Sequence, residues 1–391
     1  MSPTQRPSLG TRLRTVSLLV ITALVAAVVA ACGGSSTSDP NTLNLLTWDG
    51  YHDRAWLDAF TKETGIKVNA VSAGSPDEMF AKVKSNPGQF DVILATAGWF
   101  DNYAKADLLE PIDTSRVTTE PNPGFDWKSA ASSGGQQYGV LYNWGDQPLA
   151  WIPGSIPNTP EMAKYLDDQG RPNDWNILWD PAFAGKVSVF DDPTAVLPMI
   201  PLALGISDPY HLTPEQFTAV KDRLSALRPQ IKHLTTGYND QETQFANGEA
   251  TIGYLNIISE VAALKKEGKT LEVNNEVKQG VPAWTDNYAI TKKGGAAKLD
   301  SVYKFINYTE TVPWQARFIA SGGNSGSLNL EQAKSSDAVA AGLTPELLDT
   351  TLIPATAAGD AFFSKLRFFQ PVEDLNKRID MWNEFKLGIT S

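Results

Sequence analysis

Predicted strands and helices alternate along residues 43–106, and this alternation constrains the fold more than any other feature of the sequence. Apolar or alternating runs indicate the strands, and apolar residues at helical spacing indicate the helices. The strands are predicted at 43–48, 66–71 and 90–95, and the helices at 54–63, 76–83 and 99–106. Strands that alternate with helices favour an α/β domain with a largely parallel sheet.

The 391-residue chain is longer than one hydrophobic core usually serves, so a second domain is expected. A stretch rich in Gly, Ser, Asn and Pro (121–137) interrupts the first pattern. A strand at 138–142 then leads out of the first domain, and a strand at 186–190 begins the second sheet. A capped helix at 213–227 and a strand at 250–255 follow.

The N-terminal segment has the pattern of a secretory signal. Arg12 and Arg14 precede an apolar run over 16–31, which ends in small residues before Cys32, the only cysteine in the chain. The alternative is a membrane anchor, but a spanning helix needs about 20 apolar residues. We therefore expect a signal peptide at 1–31, a lipid on Cys32 and a flexible spacer through residue 41, with the protein outside the cytoplasm.

The remaining chain is acidic. The first 31 residues hold three arginines and no acid, which leaves 30 basic and 44 acidic residues after them. Such a surface repels nucleic acid and anionic lipid, and it suits a cationic ligand. With one cysteine no internal disulfide is expected. The three histidines have no metal-ligand spacing, so no metal site is expected.

No motif for catalysis is present in the sequence. It has no Gly-x-Ser-x-Gly, no His-Glu-x-x-His and no phosphate-binding loop. Asp191 and Asp192 are adjacent, with no other sign of a hydrolase around them. We therefore expect no enzyme activity and no cofactor.

Several segments, in order, resemble the extracytoplasmic binding proteins of spermidine/putrescine ABC importers. The matching segments are LTWDGY (46–51), FTKETGIKV (60–68), FDVI (90–93), Asp101, LEPID (109–113), WDPAFAGK (179–186), Asp191-Asp192, AWTD (283–286) and Gln370. The resemblance spans residues 42–391, and the order and spacing of the segments make it specific.

The resemblance implies the two-lobed clamp of periplasmic binding proteins, type II-like, in which each lobe is a mainly parallel sheet flanked by helices. Lobe 1 is expected to comprise 42–146 plus 284–333, and lobe 2 to comprise 147–283 plus 334–391. The crossings are expected near 145–148, 282–285 and 329–334. The ligand is expected in the cleft between the lobes, and closure about a hinge is the usual motion of such clamps.

The resemblance also implies which residues bind the ligand. Trp48 and Tyr51 are expected to wall the site, Trp284 to pack on the ligand, and Asp286 and Asp192 to bind its amines. Further candidates are Asp49, Thr96, Trp99, Trp144, Asn256 and Gln370. Several have a simpler alternative: Trp48 as a core residue, Trp284 as a strand residue, Asp49 as a helix cap, Asp192 and Asp286 as turn residues, and Gln370 as a surface residue.

Three departures from the family pattern concern the ligand. Ala195 stands where the family often has Glu, Asn256 where it often has Trp, and the Gly-rich loop 322–325 lacks the family's Tyr. Asp49 or Asp146 is a candidate replacement for the missing carboxylate. A shorter amine, or a zwitterion such as an amino acid, therefore also fits the pattern.

The sequence thus predicts a monomeric, lipid-anchored substrate-binding protein of an ABC importer. It is expected to capture a polyamine or other small amine-bearing solute and to deliver it to a permease and its ATPase, with no role for nucleic acid. The alternative is the same clamp binding another solute, such as 4-aminobutyrate, a sugar or a ferric ion.

Overall fold

In the part of the chain that the structure describes, two mixed β-sheets are flanked by helices. The computed structural model describes residues 39–322 and 325–389. The predictions of a signal peptide and of a lipid on Cys32, and most of the predicted spacer, lie outside these residues. In the described part of the chain, no helix is both long and apolar enough to cross a membrane.

The first sheet has seven strands. They are β1 (Thr42–Thr47), β2 (Lys67–Ser72), β3 (Val92–Thr96), β4 (Leu109–Glu110), β7 (Gly139–Asp146), β12 (Val281–Thr291) and β13 (Leu366–Phe368). Strands β2, β1 and β3 are parallel, as predicted, but β12 runs antiparallel to β3, β4 and β7. The sheet is therefore mixed rather than mainly parallel, because the chain re-enters it in the opposite direction.

The second sheet is smaller and is also mixed. Its strands are β8 (Leu149–Trp151), β9 (Val187–Ser188), β10 (Ile252–Tyr254) and β11 (Glu272–Asn274), in the order β11-β8-β10-β9. Only β9 and β10 are parallel. A separate two-stranded ribbon joins β5 (Ser132–Ser133) to β6 (Gln136–Gln137).

Helices flank these sheets, and four of them lie where the sequence predicts them: Arg54–Thr64, Pro76–Ser85, Phe100–Lys105 and Pro214–Ser225. The α-helices are Arg54–Thr64, Pro76–Ser85, Phe100–Lys105, Pro193–Val196, Met199–Ala203, Pro214–Ser225, Tyr238–Ala246, Ser259–Lys266, Leu299–Thr309, Val312–Gly322, Leu330–Ala333, Ser336–Ala340, Pro345–Leu348, Asp360–Phe363 and Leu375–Lys386. The predicted cap at Thr213 is confirmed: its side chain and that of Gln216 form a reciprocal capping box.

The two sheets define the two lobes of the clamp. The chain passes from the first sheet to the second between β7 and β8, and returns between β11 and β12. Strand β13, which the sequence analysis assigns to lobe 2, pairs with β12 of the first sheet. The exact lobe boundaries stay predictions.

A buried ion pair stabilises the region of lobe 1 around the start of β1. Lys298 Nζ lies 2.9 Å from Asp91 Oδ2 and donates to the carbonyl of Thr42 at 2.7 Å. Asp91 also accepts a hydrogen bond from the backbone N–H of Asn44. Both charged side chains are almost fully buried, so each satisfies the other where water is excluded.

Candidate binding cleft

A cavity of about 600 Å³ lies between the lobes, at the ends of strands from both sheets. Its lining includes the residues that directly follow β1 and β2, the last residue of β3, and residues two positions beyond β9 and β10 in the second sheet. Ligands of open α/β sheets bind beyond the carboxyl ends of the strands. The volume is in the range of small-molecule sites, about 300–1,000 Å³.

Carboxylates and aromatic residues make up nearly half of the cavity lining. The carboxylates are Asp49, Asp191, Asp192, Asp240 and Asp286, and the aromatic residues are Trp48, Tyr51, Phe190, Tyr238, Trp284 and Phe369. No Lys, Arg or His is among the described residues that line it. The wall therefore carries negative charge that no basic side chain of the lining neutralises.

Asp286 is the most deeply buried of these carboxylates. It accepts hydrogen bonds from Thr96 Oγ1 at 2.6 Å and from Tyr51 Oη at 3.0 Å. Burial raises its pKa to about 7, although these two hydrogen bonds oppose the rise. The Trp48 indole N–H is close enough to lower that pKa slightly but has no hydrogen-bond partner itself. A carboxylate accepts about four hydrogen bonds, so Asp286 keeps acceptor capacity for a ligand.

The local geometry of β12 presents Trp284 and Asp286 to the cleft. Trp284 pairs with Gly145 of β7, and the register shifts by a bulge immediately after Asp286. A Cβ atom at Gly145 would lie 2.6 Å from Trp284 Cζ2, so the indole packs on bare backbone. Bulges commonly redirect side chains beside functional sites.

Asp192 faces the cleft from lobe 2, at the start of the helix Pro193–Val196. Its side chain accepts from the backbone N–H groups of Thr194 and Ala195 at 2.8 and 3.2 Å. Burial raises the pKa of Asp192 to about 6, and these backbone hydrogen bonds oppose the rise. Asp192 therefore caps the start of this helix with its side chain. It also lines the cavity, where its carboxylate is available to a ligand.

The other lining carboxylates differ in how far they are already satisfied. Asp191 accepts from Trp382 Nε1 at 2.6 Å and from Lys386 Nζ at 3.1 Å. Asp240 accepts from the backbone N–H of Thr236 at 2.9 Å. Asp49 is exposed, and it is not the cap of the following helix, because Asp53 caps it through the N–H of Ala55.

The structure brings eight of the predicted ligand-binding residues to this cavity. They are Trp48, Asp49, Tyr51, Thr96, Asp192, Asn256, Trp284 and Asp286. Trp99 and Gln370 line a separate cavity of about 270 Å³, which meets the cleft only at Phe369.

Two further candidates lie away from the cavity. Trp144 does not line it: the side chain is fully buried against Phe125 and Phe363, because β7 is covered on both faces. Asp146 does not replace the missing carboxylate there either. It is fully buried and accepts two hydrogen bonds from Asn275 Nδ2, and burial raises its pKa to about 7.

Sequence reasoning missed several residues of the cavity wall. Phe190 precedes the Asp191-Asp192 pair, and Tyr238 begins a helix just after Gly237, whose φ is +135°. In the sequence the available signal was the glycine itself, because glycine is favoured where the backbone must adopt a positive φ. Gln147, at the crossing between lobes, also lines the cavity and accepts from Tyr254 Oη at 2.6 Å.

Comparison with known proteins defines the class to which this cleft belongs. Residues 55–344 match the family described as bacterial extracellular solute-binding protein. Because this match covers most of the chain, the protein belongs to that family of transporter binding proteins. The resemblance seen in the sequence is thereby confirmed.

A relative identified by sequence agrees with this family assignment, and solved structures share the fold. The chain is 30% identical over 301 residues to the spermidine/putrescine-binding periplasmic protein 1 of Haemophilus influenzae, covering 74% of this chain and 79% of that protein. The spermidine/putrescine substrate-binding protein PotD of Streptococcus pneumoniae shares the fold, with a TM-score of 0.67 and 22% identity over 89% of this chain and 99% of that one. The Atu4243-GABA receptor has a TM-score of 0.66 and 19% identity, over 90% and 98% of the two chains.

Proposed function

We propose that this protein captures a polyamine or another small amine-bearing solute in its cleft and delivers it to the permease of an ABC importer. The observation that carries the proposal is the composition of the cavity wall: five carboxylates, six aromatic residues and no basic side chain among its described residues. A neutral or anionic solute would leave that charge without a partner.

A cation offsets the cost of the buried carboxylates. Burial raises the pKa of both Asp286 and Asp192, because each charged form is poorly solvated in the empty cleft. An ammonium group beside either carboxylate stabilises the ionised form and supplies donors to its free lone pairs. Trp48, Trp284 and Tyr51 provide ring faces on which the methylene chain of the ligand packs. An ammonium group over one of these rings adds about 0.5–2 kcal/mol of cation–π stabilisation.

The comparisons support this choice without deciding the ligand. Curated relatives are named for spermidine and putrescine, while a solved neighbour of the same fold is named for GABA. An amino acid such as 4-aminobutyrate and a sugar are therefore outcomes that the binding test must include. The position of His52 disfavours a ferric-ion site, because this candidate iron ligand is not in the cavity wall. Its ring nitrogens are instead hydrogen-bonded to Thr47 Oγ1 and Tyr288 Oη.

The same proposal covers the oligomeric state of the protein, its membrane anchor and its partners. The protein acts as a monomer, is held on the outer face of the membrane by a lipid on Cys32, and works with a permease and an ATPase. It performs no chemistry on its ligand, in keeping with the family of transport proteins to which it belongs.

A thermal-shift screen tests the proposal. A ligand that binds only the folded state raises the melting temperature by mass action. We expect spermidine, putrescine or agmatine to raise it, and Asp286→Ala or Trp284→Ala to abolish the rise. Glu249→Gln, which alters a surface pair with Lys232, is the control that leaves it unchanged. A rise with sugars alone would contradict the amine assignment, whereas a rise with amino acids alone would favour a zwitterionic ligand over a polyamine.

A further inference from the structure

A second chamber of about 340 Å³ adjoins the cleft. The two cavities have common walls, formed by Asp49, Tyr51, Tyr238, Asn239 and Ile257. Tyr51 links them most directly, because it lines both and its hydroxyl donates to Asp286. These shared residues are the basis for considering one linear ligand that occupies both cavities.

Glu260 is the most unusual residue of the second chamber. It stands in the first turn of the helix Ser259–Lys266 and is 1% exposed, yet neither carboxyl oxygen has a hydrogen-bond partner. Burial raises its pKa well above the ordinary value, the Ile257 amide opposes the rise, and the negative charge of Glu242 adds to it. A buried carboxyl without a partner is costly and rare in folded proteins.

The groups around Glu260 favour a cationic occupant. Three other carboxylates line the chamber, those of Asp49, Asp53 and Glu242. Lys266 is the one basic residue of the described lining; it is exposed and forms no ion pair within the described chain. The chamber's own lysine therefore does not satisfy Glu260.

We propose that Glu260 anchors a second, distal ammonium group of the ligand held at Asp286, so that the site selects linear amines with three or more nitrogens over diamines. This inference rests on the proposed function, because it needs an amine in the cleft. Trp56 and Tyr238, which also line the chamber, give the intervening methylene groups aromatic surface.

Calorimetric titration of the purified protein with spermidine and with putrescine tests the inference. The wild type is expected to bind the triamine more tightly. Glu260→Gln is expected to weaken spermidine binding by about 30-fold or more, the effect of removing one partner of a buried charge pair, and to leave putrescine binding unchanged. Glu267→Gln, at the exposed end of the same helix and outside the lining, is the matched control and leaves both affinities unchanged.

A second variant guards against misfolding of the first. Ala263→Leu narrows the chamber without altering Glu260, and it is expected to remove the same preference for spermidine. If Glu260→Gln or Ala263→Leu leaves the ratio of the two affinities unchanged, the inference is overturned while the proposed function stands. If the wild type binds no amine, the proposed function itself fails, and the inference with it.

Discussion

Asp286 is expected to lower the folding stability of the ligand-free protein while it contributes to ligand binding. The Asp286→Asn variant separates these two effects. Burial raises the pKa of Asp286 from the ordinary 3.8 to about 7. That difference corresponds to about 4 kcal/mol of unfolding free energy at a pH above both values. Asparagine loses one acceptor for Thr96 or Tyr51, at a cost of about 1 kcal/mol. We therefore expect the variant to gain about 2–3 kcal/mol of stability at pH 8.

This gain has a definite pH dependence. Because the folded state has the higher pKa, the carboxyl of Asp286 lowers stability progressively as the pH rises from about 4 to about 7. Above that range the penalty is constant, and below it both states are protonated. The advantage of the asparagine variant is therefore greatest at pH 8 and disappears towards pH 4.

Urea denaturation followed by tryptophan fluorescence, at pH 4.5 and pH 8, measures the difference. Asp240→Asn, a half-buried carboxylate of the same cavity, controls for a general effect of removing charge. An Asp286→Asn variant that is less stable than the wild type at pH 8 would refute the argument that this charge is poorly solvated. The same variant should also lose the rise in melting temperature that amines cause.

Three further predictions concern the frame of the site. Gly145→Ala places a Cβ atom against Trp284, so it should cost about 1–3 kcal/mol in urea denaturation and weaken amine binding; unchanged binding would show that the indole position is not critical. Lys298→Met leaves the buried charge of Asp91 without its partner and should lower the free energy of unfolding by about 3–5 kcal/mol in the same assay. A loss under 1 kcal/mol would contradict this expectation. Thr213→Ala removes the capping box and should lower stability by about 1 kcal/mol without changing ligand affinity, which calorimetry checks.

Local sequence pattern predicted the elements of lobe 1 well. Strands β1, β2 and β3 and the helices between them lie within a few residues of their predicted bounds, and Gly65 ends the first helix with φ of +75°. Periodicity could not predict that the sheets are mixed. The direction of β12 depends on where the chain returns from the second sheet, which is a property of the tertiary path.

The site was predictable where family resemblance and strand ends coincide. Trp48 and Thr96 follow or end parallel strands, and both line the cleft. Trp144 was misplaced because an aromatic residue beside a crossing also fits a strand that is buried on both faces. Glu260 was missed because a glutamate in the first turn of a helix ordinarily indicates an exposed, dipole-stabilised position.

The cleft is expected, above all, to recognise positive charge on its ligand. Calorimetric titration with putrescine and with 1,4-butanediol tests this expectation directly, because the two differ in their terminal groups and share the four-carbon chain. We expect heat of binding with putrescine, none with the diol, and loss of the putrescine signal in Asp286→Asn. Equal binding of both compounds, or binding of the diol alone, would contradict it.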